Sequence, residues 1–203
     1  MNEKKEDRRS NKTKRMICSA LAELLAEKAL HKITVQEISD IAEISRTTFY
    51  KYYVDVYDLY DQLSKSTMME LELVLTENKN CSEDELYSKL IEYVSDNRMT
   101  FRMIFSPNTT AKLKDKLIKM IEGVFRHKHS EKYNIPINSP ELIYFTGYRA
   151  HGFVSVIQKW VRTDFKESRG YMVKIISVID KNMENTLMAG IGDAPNDDTE
   201  EIE

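Results

Sequence analysis

From Ser45 to Tyr53 the chain reads Ser-Arg-Thr-Thr-Phe-Tyr-Lys-Tyr-Tyr, a run of hydrogen-bonding and aromatic side chains around one phenylalanine. An arginine such as Arg46 can donate a bidentate pair to a guanine edge, and the Thr47 methyl group suits a thymine. Thr34, Thr48 and the Tyr50 hydroxyl are short donors matched to phosphate oxygens, which position a protein on a duplex without reading its sequence. Gln36 is placed to reach a base as well. Ser45, Lys51 and Tyr52 complete the polar face, while Lys12 and Arg15 add cations from upstream. Three tyrosines are more than so short a segment needs for a core. The chemistry on offer is recognition of double-stranded DNA, with no bond made or broken.

Two short helical segments have to hold these groups. Thr34-Val-Gln-Glu37 is a capping-box signature, and it opens a helix with Ile38, Ile41 and Ala42 turned inward. Ser45 caps the next helix, read as Arg46 to about Tyr53 and anchored by Phe49. The pair forms a helix-turn-helix, in which one helix braces on the backbone and the other enters the major groove. A preceding helix from Thr13 to about Lys28 carries Ile17, Leu21, Leu24 and Leu25 on one stripe. Asp55 caps a long helix through Leu59, Leu63, Leu71 and Leu75. Further helices follow at about 82–95, around Phe101, at 110–133, at 139–162 and at 168–189. Ser82 opens a second capping box, and Ser139-Pro140 puts proline at a first helical position. Residues 173–179 are rich in β-branched side chains, but apolar spacing over the longer window favours helix. The fold class is all-α with about nine helices: three form the N-terminal unit and the rest a longer C-terminal helical region.

The chain has 203 residues, six glycines and four prolines, and a net charge of -3. That charge alone argues mildly against nucleic acid, yet it is unevenly spread. Residues 1–52 carry +3, residues 53–190 sum to zero, and residues 191–203 carry -6. A basic arm (Lys4, Lys5, Arg8, Arg9, Lys12, Lys14, Arg15) therefore leads into the DNA-reading segment, and an acidic tail expected to be disordered closes the chain. Two cysteines make no disulfide framework, and neither has a catalytic neighbour. His127 and His129, two apart, fall on different faces of a helix and make no metal site. Phosphate loops, nucleophile elbows, dinucleotide fingerprints and zincin motifs are absent, so no enzyme, cofactor or metal is expected. No apolar run reaches membrane-span length; a cytoplasmic protein is expected.

The stretch Ile38 to Tyr53, followed by Asp55 and Leu59, closely resembles the DNA-binding domain of TetR/AcrR-type transcriptional regulators. Thr48-Phe49-Tyr50 and Tyr53 are the most diagnostic positions, and the resemblance spans about residues 10–63. Tyr148-Arg-Ala-His-Gly152 through Ile157-Gln-Lys-Trp160 looks like the Gly-then-Trp helix of a subgroup that includes regulators of dihydroxyacetone kinase genes. Three residues depart from the family pattern. Glu43 stands where the family usually has glycine, which implies a left-handed non-glycine residue. Thr47 also replaces a frequent glycine, and Val56 replaces a usual lysine.

The resemblance implies a DNA-binding domain at 1–54, a ligand-binding and dimerisation domain at 55–190, and a tail at 191–203. It implies a ligand-responsive repressor that binds a pseudo-palindromic operator as a homodimer and answers to an unidentified small-molecule effector. The alternative is a helical ligand-binding or adaptor protein whose hairpin contacts a protein partner. Candidate pocket residues are Met68, Met103, Phe105, Tyr144, Tyr148, Arg149, His151 and Phe153. Among them Arg149, a cation in apolar surroundings, needs an anionic partner, with an internal carboxylate favoured over a ligand. The implied dimer face comprises Phe153, Ile157, Trp160, Ile176, Ile179 and Met183.

Overall fold

A computed structural model describes residues 3–78, 80–109 and 111–190, without the side chains of 3–8, 111 and 186–190. The acidic tail and the Lys4, Lys5 and Arg8 side chains lie outside the described residues. Within them the chain forms nine α-helices and no strand: α1 (Glu3–Glu27), α2 (Val35–Ile41), α3 (Arg46–Phe49), α4 (Val56–Glu77), α5 (Glu83–Asp96), α6 (Arg98–Ile104), α7 (Ala111–Tyr133), α8 (Pro140–Arg162) and α9 (Arg169–Gly190). Among the described residues no helix is long and apolar enough to cross a membrane.

The helix starts follow local chemistry. Thr34 and Ser82 form reciprocal capping boxes with Glu37 and Glu85, while Ser45, Asp55 and Ser139 each accept a backbone N–H of the first turn. Two boundaries differ from the sequence expectation. The first helix begins at Glu3, ten residues before Thr13, because residues 3–12 hold good helix formers and neither glycine nor proline. The recognition helix ends at Phe49; the chain then bends through turns in which the Tyr52 and Tyr53 amides both reach the Phe49 carbonyl, at 2.9 and 3.1 Å.

Ile17, Leu21, Leu25, Ile38, Phe49 and Leu59 are fully buried in the N-terminal core, and burying Phe49 alone is worth on the order of 2 kcal/mol. Ile41, expected inward, is 41% exposed, because the helix ends there and the turn carries it past the core. Farther along, α7 packs on α8, α5 on α9, and α1 on α6. The first two pairs run antiparallel: Phe125 meets Phe153 where His129 meets Arg149, and Tyr87 meets Asp180 where Asp96 meets Arg169. The loop after α6 ties these helices to the N-terminal unit. There the Ser106 hydroxyl and the Asn108 amide donate to the Leu25 carbonyl at the end of α1, at 2.5 and 3.1 Å.

Phe153, Ile157, Trp160 and Ile176, expected on a dimer face, are each buried within the single chain. Helical spacing marks an apolar face but not what covers it, and here the covering element is intramolecular. Only Ile179, 45% exposed, and the half-buried Met183 retain access to solvent.

Candidate nucleic-acid interface

The hairpin is built by short-range bonds. The Thr34 hydroxyl accepts from the Glu37 amide at 3.3 Å and donates to its carboxylate at 2.9 Å, and Glu37 also pairs with Lys28. That ion pair and the Thr34 bonds hold the Glu37 carboxyl down at about 2. After α2 the backbone turns left-handed at Glu43, with φ 52°. The Ile44 amide donates to the Ser39 carbonyl at 2.9 Å, and the Glu43 amide to the Asp40 carbonyl at 3.2 Å. This is a Schellman ending, with glutamate where glycine is usual. It delivers Ser45 directly to its cap on Thr48, at 3.1 Å from hydroxyl to amide.

The geometry then divides the polar residues. Phe49 and Tyr53 are buried and hold the segment to the core; Tyr50, its ring edge-on to Phe49, is 49% exposed. Thr34, Gln36, Ser45, Arg46, Thr47 and Lys51 are exposed, with Thr48 and Tyr52 half-buried. Arg46 lies along the Tyr50 ring at 6.0 Å and reaches its hydroxyl at 3.4 Å. Gln36 donates to Asp40 at 2.7 Å. The side chains of Thr47 and Lys51 have no polar partner among the described residues. Lys12 and Arg15 are exposed on α1. Lys14, a member of the basic arm, stands 5.8 Å over the Tyr52 ring and so brings the basic helix beside the end of α3. Val56, in place of a lysine, is buried.

The residues expected to line a pocket do not all come together. Tyr144 and Tyr148 are 78% and 71% exposed on α8, where His151 is exposed too. Met68, Met103, Phe105 and Phe153 are buried core residues. The apolar gap that Phe105 and Phe153 border, between Leu71, Leu90, Phe101 and Ile121, holds about 10 Å³. Larger clefts open at the surface: 620 Å³ between the starts of α5 and the ends of α7 and α9, 490 Å³ between α4 and α7, and 530 Å³ between α1, α6 and the end of α8.

Arg149 does find internal carboxylates. Its side chain is fully buried, donating to Glu83 at 2.7 Å, to Asp180 at 3.1 Å and to the Tyr87 hydroxyl, which in turn donates to Asp180. The guanidinium also lies 4.3 Å from the Phe125 ring centre. His129, likewise buried, completes the cluster with Glu184 at 2.7 Å, and Lys132 reaches Glu184 at 3.0 Å. Glu83, His129 and Glu184 place ligand atoms within 4.8 Å of one another, as a metal site would. Here, however, the Arg149 guanidinium touches Glu83 and His129 and already supplies the positive charge. Burial and the charges of Glu83 and Glu184 push the Asp180 carboxyl up to about 8. Nothing in the sequence pointed to this cluster beyond Arg149 itself, because its members come from four helices.

Two family models match the chain: residues 17–63 match the bacterial regulatory proteins of the tetR family, and residues 83–182 match a transcriptional regulator C-terminal region. The dhaKLM operon transcriptional activator DhaS of Lactococcus lactis is 28% identical over 95 residues, which span 46% of this chain and 49% of that protein. The chain thus matches about half the length of that curated relative. Among solved structures, a dihydroxyacetone kinase operon activator DhaS superimposes with a TM-score of 0.52 at 19% identity, covering 87% of this chain and 96% of the other. A transcriptional regulator from Aquifex aeolicus gives 0.63 at 14%, covering 84% and 99%. FadR from Bacillus subtilis, in complex with stearoyl-CoA, gives 0.57 at 17%, covering 87% and 98%. At these identities the structural likeness shows the fold alone. The two family models, lying on the helix-turn-helix and on the helices behind it, show that the chain belongs to the TetR family of bacterial transcriptional regulators.

Proposed function

We propose that the chain is a ligand-responsive repressor that binds a pseudo-palindromic operator as a homodimer. Residues 1–54 read DNA and residues 55–190 bind the effector and dimerise; the acidic residues 191–203 lie outside the described residues. The observation that carries the reading is the exposed polar face of α3 and the turn after it, with Thr47 and Lys51 lacking partners among the described residues and Arg46 held only by a long bond to Tyr50. Arg46 reads a guanine, while Thr34, Thr48, Tyr50 and the cations Lys12, Arg15 and Lys51 contact phosphates. Gln36, Ser45 and Tyr52 flank them. In the dimer two α3 helices lie about one turn of duplex apart, roughly 34–36 Å.

The dimer face in this reading is the outer side of α8 and α9, where Tyr144, Tyr148, Val178 and Ile179 remain exposed. The effector enters a surface cleft or opens the core, since a gap of about 10 Å³ holds no more than one water. A core ligand such as the acyl-CoA carried by the Bacillus subtilis FadR structure would have to separate the helices around Phe153. An effector that prefers the mis-spaced dimer then releases DNA by that difference in affinity. A gel-shift titration of the full chain against its own promoter region, repeated over a salt series, tests the reading. A specific complex whose affinity falls steeply with salt is expected; a chain that shifts no promoter fragment at low salt overturns it.

A further inference from the structure

Among the described residues the lysine and arginine side chains drawn at least partly out of water are Lys28, Arg102, Lys114, Arg126, Lys128 and Arg149. All but one have a partner. Lys28 pairs with Glu37, Arg102 with Asp164, Arg126 with Glu122 and Arg149 with Glu83 and Asp180, while Lys128 donates to the Cys81 carbonyl at 2.9 Å. Lys114, half-buried on α7, has none among the described residues. A cation in that position has lost hydration that nothing in the chain replaces.

Lys114 lines a cleft of 180 Å³ bounded by the end of α6, the loop after it, α7 and α8. Arg162 and, one turn before it, Gln158 line the same cleft from α8, and neither has a polar partner among the described residues. No carboxylate lines the cleft among those residues. Two cations thus share a small space with no anion between them, and they repel one another as the chain stands.

We propose that this cleft binds a phosphoryl group. A phosphate monoester carries close to two negative charges near neutral pH, which matches two cations, whereas a carboxylate carries one. The guanidinium of Arg162 offers a planar fork and Lys114 a point charge, the two usual ways of holding phosphate oxygens. The Gln158 amide adds neutral donors. The Ser106 and Thr109 hydroxyls on the wall are already spent, donating to the Leu25 and Ser106 carbonyls.

The rest of the ligand has a place as well. The cleft adjoins the 530 Å³ cleft beside α1, with which it shares Phe105, Ser106, Pro107 and Arg162. Ala22, Met99 and Val161 make part of that larger wall apolar, while Glu23, Glu27 and Asp164 on it repel a second anionic group. The pair of clefts therefore selects a compound with one phosphoryl end and an uncharged, partly apolar body; free phosphate meets only the first requirement. Such an occupant lies against the loop whose Ser106 and Asn108 hold the Leu25 carbonyl at the end of α1, and so bears on the seating of the N-terminal unit. Only that last step rests on the repressor reading.

The test is an NMR titration of the full chain at constant ionic strength with inorganic phosphate, with phenyl phosphate, and with benzyl alcohol as an uncharged control. Both phosphates should give saturable shifts at the Thr109 and Lys114 amides and at the Gln158 side-chain amide, and benzyl alcohol none. Tighter binding of phenyl phosphate supports the extended ligand; equal binding overturns the body and leaves a site for free phosphate. Lys114→Gln and Arg162→Gln should each weaken binding roughly tenfold or more, the worth of one charge-assisted bond, while Lys116→Gln, exposed on the same helix, should leave it unchanged. Shifts that fail to saturate, that spread over the lysines at large, or that persist when Lys114 and Arg162 are both glutamine overturn the site. If a variant fails to fold, the wild-type shifts and their saturation still decide. No DNA is present, so the outcome is independent of the gel-shift titration.

Discussion

The α2–α3 hairpin and the cluster around Arg149 both depend on polar side chains, but they hold them by opposite means. In the hairpin, Thr34 bonds Glu37, Gln36 bonds Asp40 and Ser45 bonds Thr48, each pair three or four residues apart and each exposed. In the cluster, Arg149 reaches residues 20 to 66 positions away, Tyr87 reaches Asp180 across 93, and the bonds are largely buried. Exposed local bonds shape a surface and leave its donors available to a partner. Buried long-range bonds fix helices against one another and turn each charge into a structural liability, since removing one partner strands the rest. The first region is arranged for contact and the second for geometry.

Substitutions at four positions test that division, the largest effect first. Arg149→Met should cost about 3–5 kcal/mol of stability, because Asp180 and the Tyr87 hydroxyl would stay buried without their donor and Glu83 and Glu184 would keep Lys132 alone as a cation; chemical denaturation measures it. A cost below about 1 kcal/mol, typical of exposed pairs, would erase the distinction between the two regions. Arg46→Ala should weaken operator binding by roughly 1–3 kcal/mol and relax base preference at one position, with the denaturation midpoint unmoved. Loss of stability without loss of specificity would make Arg46 a structural residue after all.

Ser45→Ala removes the cap of α3 and should cost about 1 kcal/mol in stability, with a further loss in DNA affinity because the cap also aims the helix. Comparison with Ser45→Gly, expected to lose only a few tenths of a kcal/mol in stability, separates the cap from the backbone. The smallest effect should be a gain. Glu43→Gly relieves a left-handed glutamate and is expected to stabilise the chain by up to about 1 kcal/mol, read as a higher melting temperature with operator affinity unchanged. A loss instead would mean that the Glu43 side chain contributes something its exposed position does not reveal.

The same contrast explains which parts of the molecule could be read from the sequence. The caps at Thr34, Ser45, Asp55, Ser82 and Ser139 lie where their residue types put them, because a cap bonds within its own first turn. The left-handed Glu43 was legible through the resemblance, since it stands where the family usually has glycine. Phe49 was legible as an anchor because it is the one wholly apolar side chain between Ser45 and Tyr53. Boundaries were less secure. Residues 3–12 extend α1 with no apolar stripe to announce it, and α3 stops at Phe49 although its polar pattern runs on to Tyr53.

The C-terminal helices show where local reading stops. Apolar periodicity placed Phe153, Ile157, Trp160 and Ile176 on faces, but the same periodicity serves a face covered by another helix of the chain and one covered by a partner. Tertiary packing alone assigned them to the interior and left Val178 and Ile179 exposed. Arg149 was recognisable as a cation in need of an anion, yet Glu83, Asp180 and Glu184 lie 31 to 66 residues away on two other helices. The sequence by itself determined the helices, their caps, the hairpin and the polar face of α3, because those depend on neighbours within a turn or two. Only the folded chain decided which apolar faces close on one another, how small the interior gap is and which carboxylates Arg149 meets. Those depend on how helices far apart in sequence are brought within a few ångströms, and no local pattern encodes that distance.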